Sequence, residues 1–171
     1  MKPSTRKLIA GLTERYPALS VIETALAEAV ETLIRSFGSG GRLLVCGTGG
    51  RAADSLQIVG DLMKKFSIKR PLPVEFAERL KEVGPDAKYI AANLQPTLET
   101  IALVGSVAFD SAYANDCAPD LCFAQQAYGY GRPGDVLLAI TTSGNSKNVL
   151  YAAQVARAKV VKFIVLTGEG G

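Results

Sequence analysis

The sequence predicts a three-layer α/β protein in which a flavodoxin-like parallel sheet lies between two layers of helices. Four short runs, at 43–47, 98–104, 136–140 and 162–166, are rich in apolar residues without polar alternation, which is typical of strands buried on both faces. Stretches with helical spacing of apolar residues lie between them, so strands and helices alternate along the chain. The first and third runs are each followed by a loop of small residues and then by a helical pattern.

Composition limits the possible functions. The 171 residues suffice for one domain with a sizeable core, and the net charge of +3 comes from Lys and Arg spread along the chain, which argues against a basic nucleic-acid-binding stripe. No apolar run approaches 18 residues and no signal-peptide pattern is present, so we expect no membrane partner. The three cysteines, Cys46, Cys117 and Cys122, form no CxxC pair and suit a reducing, cytoplasmic setting.

The chain contains no histidine. Ser-His-Asp and Cys-His catalysis are therefore impossible within it, and so is a zinc site with histidine ligands. Any proton transfer must use Asp, Glu, Lys, Tyr or Cys, or a group from another chain.

We expect one domain over residues 1–171, with N-terminal helices over 1–37 and a helical surface insertion over 67–97. Ser20 and Glu23 have the spacing of a capping box that would open the second helix. The apolar stripe of that helix covers nearly half its surface, so it either packs under the domain or pairs with a partner subunit. Because the chain stops on a glycine-rich turn directly after its last strand, we expect the helices that would cover this strand to be missing.

Two loops lie where an open parallel sheet binds ligands, at the carboxyl ends of strands. The first is Gly47-Thr48-Gly49-Gly50, and the second, at 141–146, carries four hydroxyl groups before a helix. Hydroxyls and free N–H groups at a helix N-terminus suit a phosphate monoester, although the same residues could merely cap the helix. The first loop also nearly matches a dinucleotide fingerprint, but no acidic residue ends a second strand about 20 residues on, which disfavours that interpretation. Cys46 precedes this loop on a buried strand and is interpreted as a core residue.

The two loops together resemble the sugar-isomerase (SIS) domain, in particular its phosphoheptose isomerase group. The family pattern C-G-N-G-G-S-A-A-D reads here C-G-T-G-G-R-A-A-D over 46–54. Its G-x-P-G-D-V-L-L-x-I-S-T-S-G-N-S pattern reads G-R-P-G-D-V-L-L-A-I-T-T-S-G-N-S over 131–146, and its Asn-Asp motif is Asn115-Asp116. The resemblance extends over about residues 20–171.

This resemblance implies a homotetramer with active sites at subunit interfaces and a sugar phosphate as ligand. In the group, sedoheptulose 7-phosphate is isomerised through an enediol by a glutamate and a histidine, often with zinc. The substrate-binding positions it implies here are Thr48, Gly49, Gly50, Arg51, Gln57, Asn115, Asp116, Thr141, Thr142, Ser143 and Ser146.

The sequence departs from the family pattern at the catalytic helix. Gln57 stands at the position of a zinc-binding histidine and Asp61 at that of the catalytic glutamate. The i, i+4 spacing keeps both on one helix face, so Asp61 is the candidate catalytic base, although its side chain is one methylene shorter. Arg51 replaces the loop serine and is either a phosphate partner or a solvated surface residue, and Ser106 replaces an expected aspartate.

Two functions follow from these observations. The first is an aldose–ketose isomerase of the phosphoheptose isomerase type with altered catalytic positions. The alternative is a non-catalytic phosphosugar-binding or protein-docking module, which the absence of histidine favours. The hydroxyl-rich loop is compatible with both.

Overall fold

The computed structural model describes residues 1–68 and 70–168. Its helices are α1 (Pro3–Arg15), α2 (Glu23–Gly38), α3 (Gly50–Leu62), α4 (Val74–Val83), α5 (Ala87–Asn93), α6 (Val107–Asp116), α7 (Cys122–Tyr130) and α8 (Lys147–Ala158). Its strands are β1 (Leu43–Gly47), β2 (Thr100–Ala102), β3 (Val136–Ile140) and β4 (Lys162–Leu166), and 3-10 helices span Pro17–Ile22 and Pro119–Leu121. Within the described residues, no helix has the length and apolarity needed to cross a bilayer.

The four strands form one parallel sheet in the order β2-β1-β3-β4, which confirms the predicted flavodoxin-like class. Strand β1 lies in the middle, with β2 on one side and β3 on the other. The chain therefore leaves β1 in one direction and later returns to its opposite side. This reversal creates a switch point at the carboxyl ends of β1 and β3, where sheets of this type bind ligands.

The sheet is covered on both faces, as a three-layer protein requires. On one face, Leu44, Cys46, Leu137 and Ala139 belong to a core to which helices α7 and α8 contribute small residues such as Ala152. On the other face, side chains from α2 and α3 pack on a second core formed by Leu43, Val45, Val136, Leu138 and Ile140. Successive strand residues alternate between the two cores, because side chains of a strand point to opposite faces.

Strand β4 departs from the prediction of continuous burial, since most of its residues are exposed and only Ile164 packs on a core. It is an edge strand with β3 as its one strand neighbour within the described residues. Strand β2 is also shorter than the apolar run at 98–104 suggested, because only three of its residues pair with β1.

The predicted capping box is wrong. Ser20 lies inside the 3-10 helix Pro17–Ile22, and α2 begins at Glu23 after Ile22, with no side-chain cap. The Glu23 carboxylate instead accepts a hydrogen bond of 3.1 Å from the Thr13 hydroxyl of α1. The Glu23 carboxylate, which a capping box would have used within α2, is therefore engaged in a contact between α1 and α2.

The segment between α3 and β2 carries the two predicted helices, α4 and α5, which pack mainly against each other. Its two ends are held together by Arg70, whose guanidinium donates to the carbonyl oxygens of Pro96, Leu62 and Lys64 at 3.0–3.2 Å. Lys69 and the last three residues of the glycine-rich C-terminal turn lie outside the described residues.

At the amino ends of β1 and β3, Asp135 forms a buried polar network. Its carboxylate accepts hydrogen bonds from the backbone N–H groups of Arg42 (2.8 Å) and Arg132 (3.0 Å). It also pairs with the Arg42 guanidinium at 3.0 Å. Because the charge is matched and hydrogen-bonded, its burial beside the sheet is tolerated. This network fixes the end of the sheet opposite the two loops.

Candidate functional site

The structure brings the two predicted loops together at the switch point. Gly47 and Ile140 are paired residues at the ends of β1 and β3. Thr48 and Thr141, the residues that follow them, therefore lie side by side. The loops are also joined directly, because the Asn148 side-chain amide donates a hydrogen bond of 2.9 Å to the Thr48 hydroxyl. Asn148 was not among the predicted residues. Its position in the first turn of the helix after a ligand-type loop is the signal that could have identified it.

The first loop depends on two glycines for its path. A Cβ at Gly47 would lie 2.7 Å from the backbone oxygen and the Cβ of Arg51, so only glycine lets the strand end pass so close to α3. Gly49 has φ of +62°, a conformation that L side chains rarely adopt, and it directly precedes Gly50, the first residue of α3. Together they turn the chain sharply and present the N-terminus of α3 to the switch point.

The second loop arranges its four hydroxyls in two ways. The Thr141 and Ser146 hydroxyl oxygens lie 3.1 Å apart and share one hydrogen bond, so one of their two hydrogens stays available. Thr142 and Ser143 are exposed, and the Ser143 oxygen accepts a hydrogen bond of 3.3 Å from the N–H of Asn145. Ser146 stands at the N-cap of α8 but its side chain does not cap the helix. The capping alternative is therefore wrong for Ser146. The N–H of Val149 is bonded to the Ser146 carbonyl and to Asn148 Oδ1, whereas the N–H groups of Lys147 and Asn148 have no backbone acceptor among the described residues.

A crevice of about 290 Å³ opens beside the first loop. It is lined by Gly47, Thr48, Gly49, Ala52, Val104, Asp110, Pro119, Cys122, Phe123 and Asn148. Of the predicted residues, Thr48 and Gly49 line it, and Asn148 connects it to the second loop. The remaining walls come from the end of β2 and from α6 and α7, which sequence reasoning did not place at the site.

Asp110 is the carboxylate of this crevice. Its Oδ1 accepts a hydrogen bond of 3.2 Å from the buried Gln126 amide, which also donates to the Leu103 carbonyl at 3.2 Å. Partial burial raises the pKa of Asp110 above its ordinary value. Burial, and then the charge of Asp110, raise the pKa of the neighbouring Cys122 thiol. An aspartate in the first turn of a helix is ordinarily explained by the helix dipole, so the sequence alone carried no signal for this role.

Gln57 and Asp61 lie together on α3, away from the crevice. The Gln57 amide donates to Asp61 Oδ2 at 3.0 Å, and the Lys64 ammonium lies 3.8 Å from Oδ1. The predicted i, i+4 contact is therefore present. However, residues 50 to 61 span about 16 Å of helix at 1.5 Å per residue, and neither Gln57 nor Asp61 lines the crevice. Their role in substrate binding and catalysis stays a prediction.

The other predicted residues make local contacts. Arg51 forms an ion pair of 3.0 Å with Asp54, and both side chains are about half exposed. Such an exposed pair contributes little, so it would not hold Arg51 against a competing anion. At the end of α6, the Asn115 amide donates to the exposed carboxylate of Asp116 at 2.8 Å.

The residues at positions 57 and 61 do not fit the zinc site that the resemblance implies. Gln57 directs its NH₂ group at Asp61, which leaves one carboxylate and an amide oxygen as possible ligands. Within residues 1–68 and 70–168, no three Cys, Asp or Glu side chains converge, and the chain has no histidine. Zinc therefore enters no step considered below.

Fold and site together define a parallel α/β protein with a small-ligand crevice and a hydroxyl-rich loop at the switch point of its sheet. The chain is 33% identical to a phosphoheptose isomerase from Thiobacillus denitrificans over 162 residues, covering 95% of this chain and 70% of the relative. It therefore belongs to the phosphoheptose isomerase family, which confirms the resemblance to the SIS domain. A comparison with protein-family models gave no match.

Solved structures agree with this assignment. The fold matches a phosphoheptose isomerase from Francisella tularensis with a TM-score of 0.71 and 28% identity, covering 99% of this chain and 78% of that one. It also matches the phosphoheptose isomerase GmhA from Neisseria gonorrhoeae with a TM-score of 0.66 and 28% identity, covering 98% and 77% of the two chains.

Proposed function

We propose that this protein is an aldose–ketose isomerase of the phosphoheptose isomerase type, acting on sedoheptulose 7-phosphate or a similar sugar phosphate. The observation that carries the proposal is the junction of the two loops, which the Thr48–Asn148 hydrogen bond ties together at the switch point. Membership of the phosphoheptose isomerase family supports the same substrate class.

The phosphate binds at the second loop. Thr142 and Ser143 offer exposed hydroxyls, and the Thr141–Ser146 pair offers one further hydrogen. The N-terminus of α8 adds backbone N–H groups and the positive end of its dipole, which favour a dianion without a bound cation. Thr48, Gly49 and Gly50 of the first loop lie next to this position and contact the sugar.

Asp61 is the base in this proposal. It removes the proton from the hydroxyl-bearing carbon next to the carbonyl while a second group protonates the carbonyl oxygen, which gives an enediol. The enediol then takes the proton back at the former carbonyl carbon, while the second group withdraws the proton of the neighbouring hydroxyl, whose oxygen becomes the aldehyde oxygen. The Gln57 amide fixes one carboxylate oxygen and so orients the other. Within residues 1–171 the second proton carrier is a group other than histidine, because this stretch contains none.

The site is shared between subunits in this proposal. Asp61 lies about 16 Å along α3 from Gly50 of the first loop, measured at 1.5 Å per helical residue, which is too far for one small sugar phosphate held by the same chain. An Asp61 supplied by a second copy removes this difficulty. A homotetramer in the cytoplasm, without nucleic-acid or membrane partners, remains our sequence-based expectation.

Two observations favour the alternative of a non-catalytic phosphosugar-binding or protein-docking module. The chain lacks histidine, and Asp61 is already engaged by Gln57 and lies near Lys64. A carboxylate held in this way could serve as a structural group. Such a module would bind the sugar phosphate at the second loop but would not turn it over.

The deciding experiment combines turnover with isotope exchange. Purified protein is incubated with sedoheptulose 7-phosphate in deuterated water, and both the aldose product and deuterium at the carbon next to the carbonyl are measured. We expect turnover in the natural protein. In Asp61→Asn turnover should fall by about 100-fold or more, because a catalytic base is removed. In the control variant Asp86→Asn turnover should not change. Binding without exchange would establish the alternative, and absence of binding would refute both.

A further inference from the structure

We propose that Asp110 recognises the hydroxyl groups of the sugar, so that the preferred ligand is a phosphate ester of a neutral polyhydroxy chain. This inference rests on the proposed function, since it assumes that the phosphate lies on the loop at 141–146. Asp110 would then set which sugar phosphate is bound.

The position of Asp110 is the first argument. It lines the same crevice as Thr48 and Asn148, the two residues that join the glycine-rich loop to the second loop. A sugar anchored by its phosphate at the second loop can therefore extend past Asn148 into the space that Asp110 borders. The crevice of about 290 Å³ is at the small end of ligand sites, which suits a monosaccharide.

Asp110 is also held in place by a buried partner. Gln126 is 5% exposed and bridges Asp110 Oδ1 and the Leu103 carbonyl at the end of β2. This contact occupies one carboxylate oxygen. The other, Oδ2, accepts no hydrogen bond from the residues that the structure describes. A side chain whose rotamer is fixed and whose second oxygen is unoccupied is preorganised to accept hydrogen bonds from a ligand.

The side chains that line the crevice favour a ligand that carries hydroxyl groups. Ala52, Val104 and Phe123 present apolar surface that can pack against the C–H face of a sugar. A carboxylate accepts hydrogen bonds and donates none when ionised, so its natural partners here are sugar hydroxyls. Hydrogen bonds to a charged acceptor are worth about 1.5–3 kcal/mol, which corresponds to roughly 10-fold or more in affinity.

The test compares two ligands and two variants by titration calorimetry. Sedoheptulose 7-phosphate probes the whole site, and inorganic phosphate probes the second loop alone. Asp110→Asn keeps an oxygen for Gln126 and removes the charge, so it should fold. Asp120→Asn is the matched control, because it removes a nearby charge from the 3-10 helix Pro119–Leu121 and does not line the crevice. Thermal denaturation confirms that both variants are folded.

We expect Asp110→Asn to raise the Kd for sedoheptulose 7-phosphate by roughly 10-fold, the loss of a charged hydrogen-bond acceptor, and to leave the Kd for phosphate within about twofold. Asp120→Asn should leave both unchanged. The inference would be overturned if Asp110→Asn weakened the binding of both ligands equally, or if it weakened the binding of neither. Tighter binding of glucosamine 6-phosphate than of the neutral sugar phosphate would overturn the choice of hydroxyl groups.

Ser143→Ala separates failure of the inference from failure of the proposed function. Binding of the sugar phosphate that depends on Ser143 and is unaffected at Asp110 would refute the role of Asp110 alone. If the natural protein binds neither ligand, the proposed function and the inference fall together.

Discussion

Asp135 is buried and Asp110 is half-buried, and their hydrogen-bond partners differ. Asp135 accepts three hydrogen bonds, from the guanidinium and N–H of Arg42 and from the N–H of Arg132. Asp110 receives one from the neutral amide of Gln126, and its pKa is raised. The first aspartate is therefore a structural anchor, and the second keeps capacity for a ligand.

Removing the Asp135 carboxylate should destabilise the protein strongly. In Asp135→Ala, the mostly buried Arg42 loses its counter-charge, so we expect the free energy of unfolding to fall by about 3 kcal/mol. Urea denaturation measures this change. The matched variant Asp54→Ala breaks the exposed pair with Arg51 and should lose less than about 0.5 kcal/mol. Similar losses in the two variants would contradict the distinction.

The raised pKa of Asp110 predicts a pH-dependent stability of definite sign. A carboxyl whose pKa is higher in the folded protein than in the unfolded chain binds its proton more tightly when folded. The free energy of unfolding therefore falls as pH rises from the ordinary pKa of an aspartate, near 4, through the raised pKa of the folded protein. Asp110→Asn should therefore stabilise the protein at pH 7, and the gain should shrink towards pH 4. The Cys122 thiol beside it is neutral throughout, because its own pKa is raised. Urea denaturation at both pH values tests this, and a gain that grows on acidification would contradict it.

At the scale of elements, the loop after β1 depends on the close approach of Gly47 to α3. Sequence reasoning located both loops and the exact bounds of β3 and β4, because local patterns there agree with the tertiary structure. It misplaced the start of α2, where Thr13 of a different helix binds Glu23. It also could not find Asp110, since only the packing of α6 against α7 turns this residue towards the crevice.

Adding one methyl group at Gly47 should disturb this loop. In Gly47→Ala the new Cβ would meet Arg51 backbone and Cβ atoms at 2.7 Å, so we expect a loss of about 1–3 kcal/mol and weaker phosphate binding. The control is Gly60→Ala in the interior of α3, where a Cβ meets no atom within 4 Å. That change should stabilise the helix by about 0.5–1 kcal/mol. Thermal denaturation and phosphate titration compare the two, and equal effects would refute the steric explanation.

For the whole molecule, the separation of Asp61 from the glycine-rich first loop along α3 predicts that sites are completed between copies. Asp61→Asn and Ser143→Ala should each lower turnover strongly, but mixed oligomers of the two variants should regain roughly a quarter of the natural activity if copies assemble at random. Isomerase assays on co-expressed, differently tagged variants measure the recovery.

The control for this experiment mixes Asp61→Asn with a chain carrying both substitutions, which leaves no intact pair of groups. Mixtures that stay inactive although hybrid oligomers form would place the whole site within one chain. The sequence suggested shared sites through family resemblance alone, whereas the length of α3 now supplies a geometric reason.

The exposed edge strand β4 has a practical consequence for handling the protein. Phe163, Val165 and Leu166 are 39–47% exposed, and the strand lies at the rim of the sheet. Among residues 1–68 and 70–168 the outer edge of β4 has no strand partner, and such an edge is a template on which further strands can add through main-chain hydrogen bonds, leading to aggregation. Concentrated samples of this chain should therefore precipitate through β4, and Val165→Lys should raise solubility without touching either ligand loop.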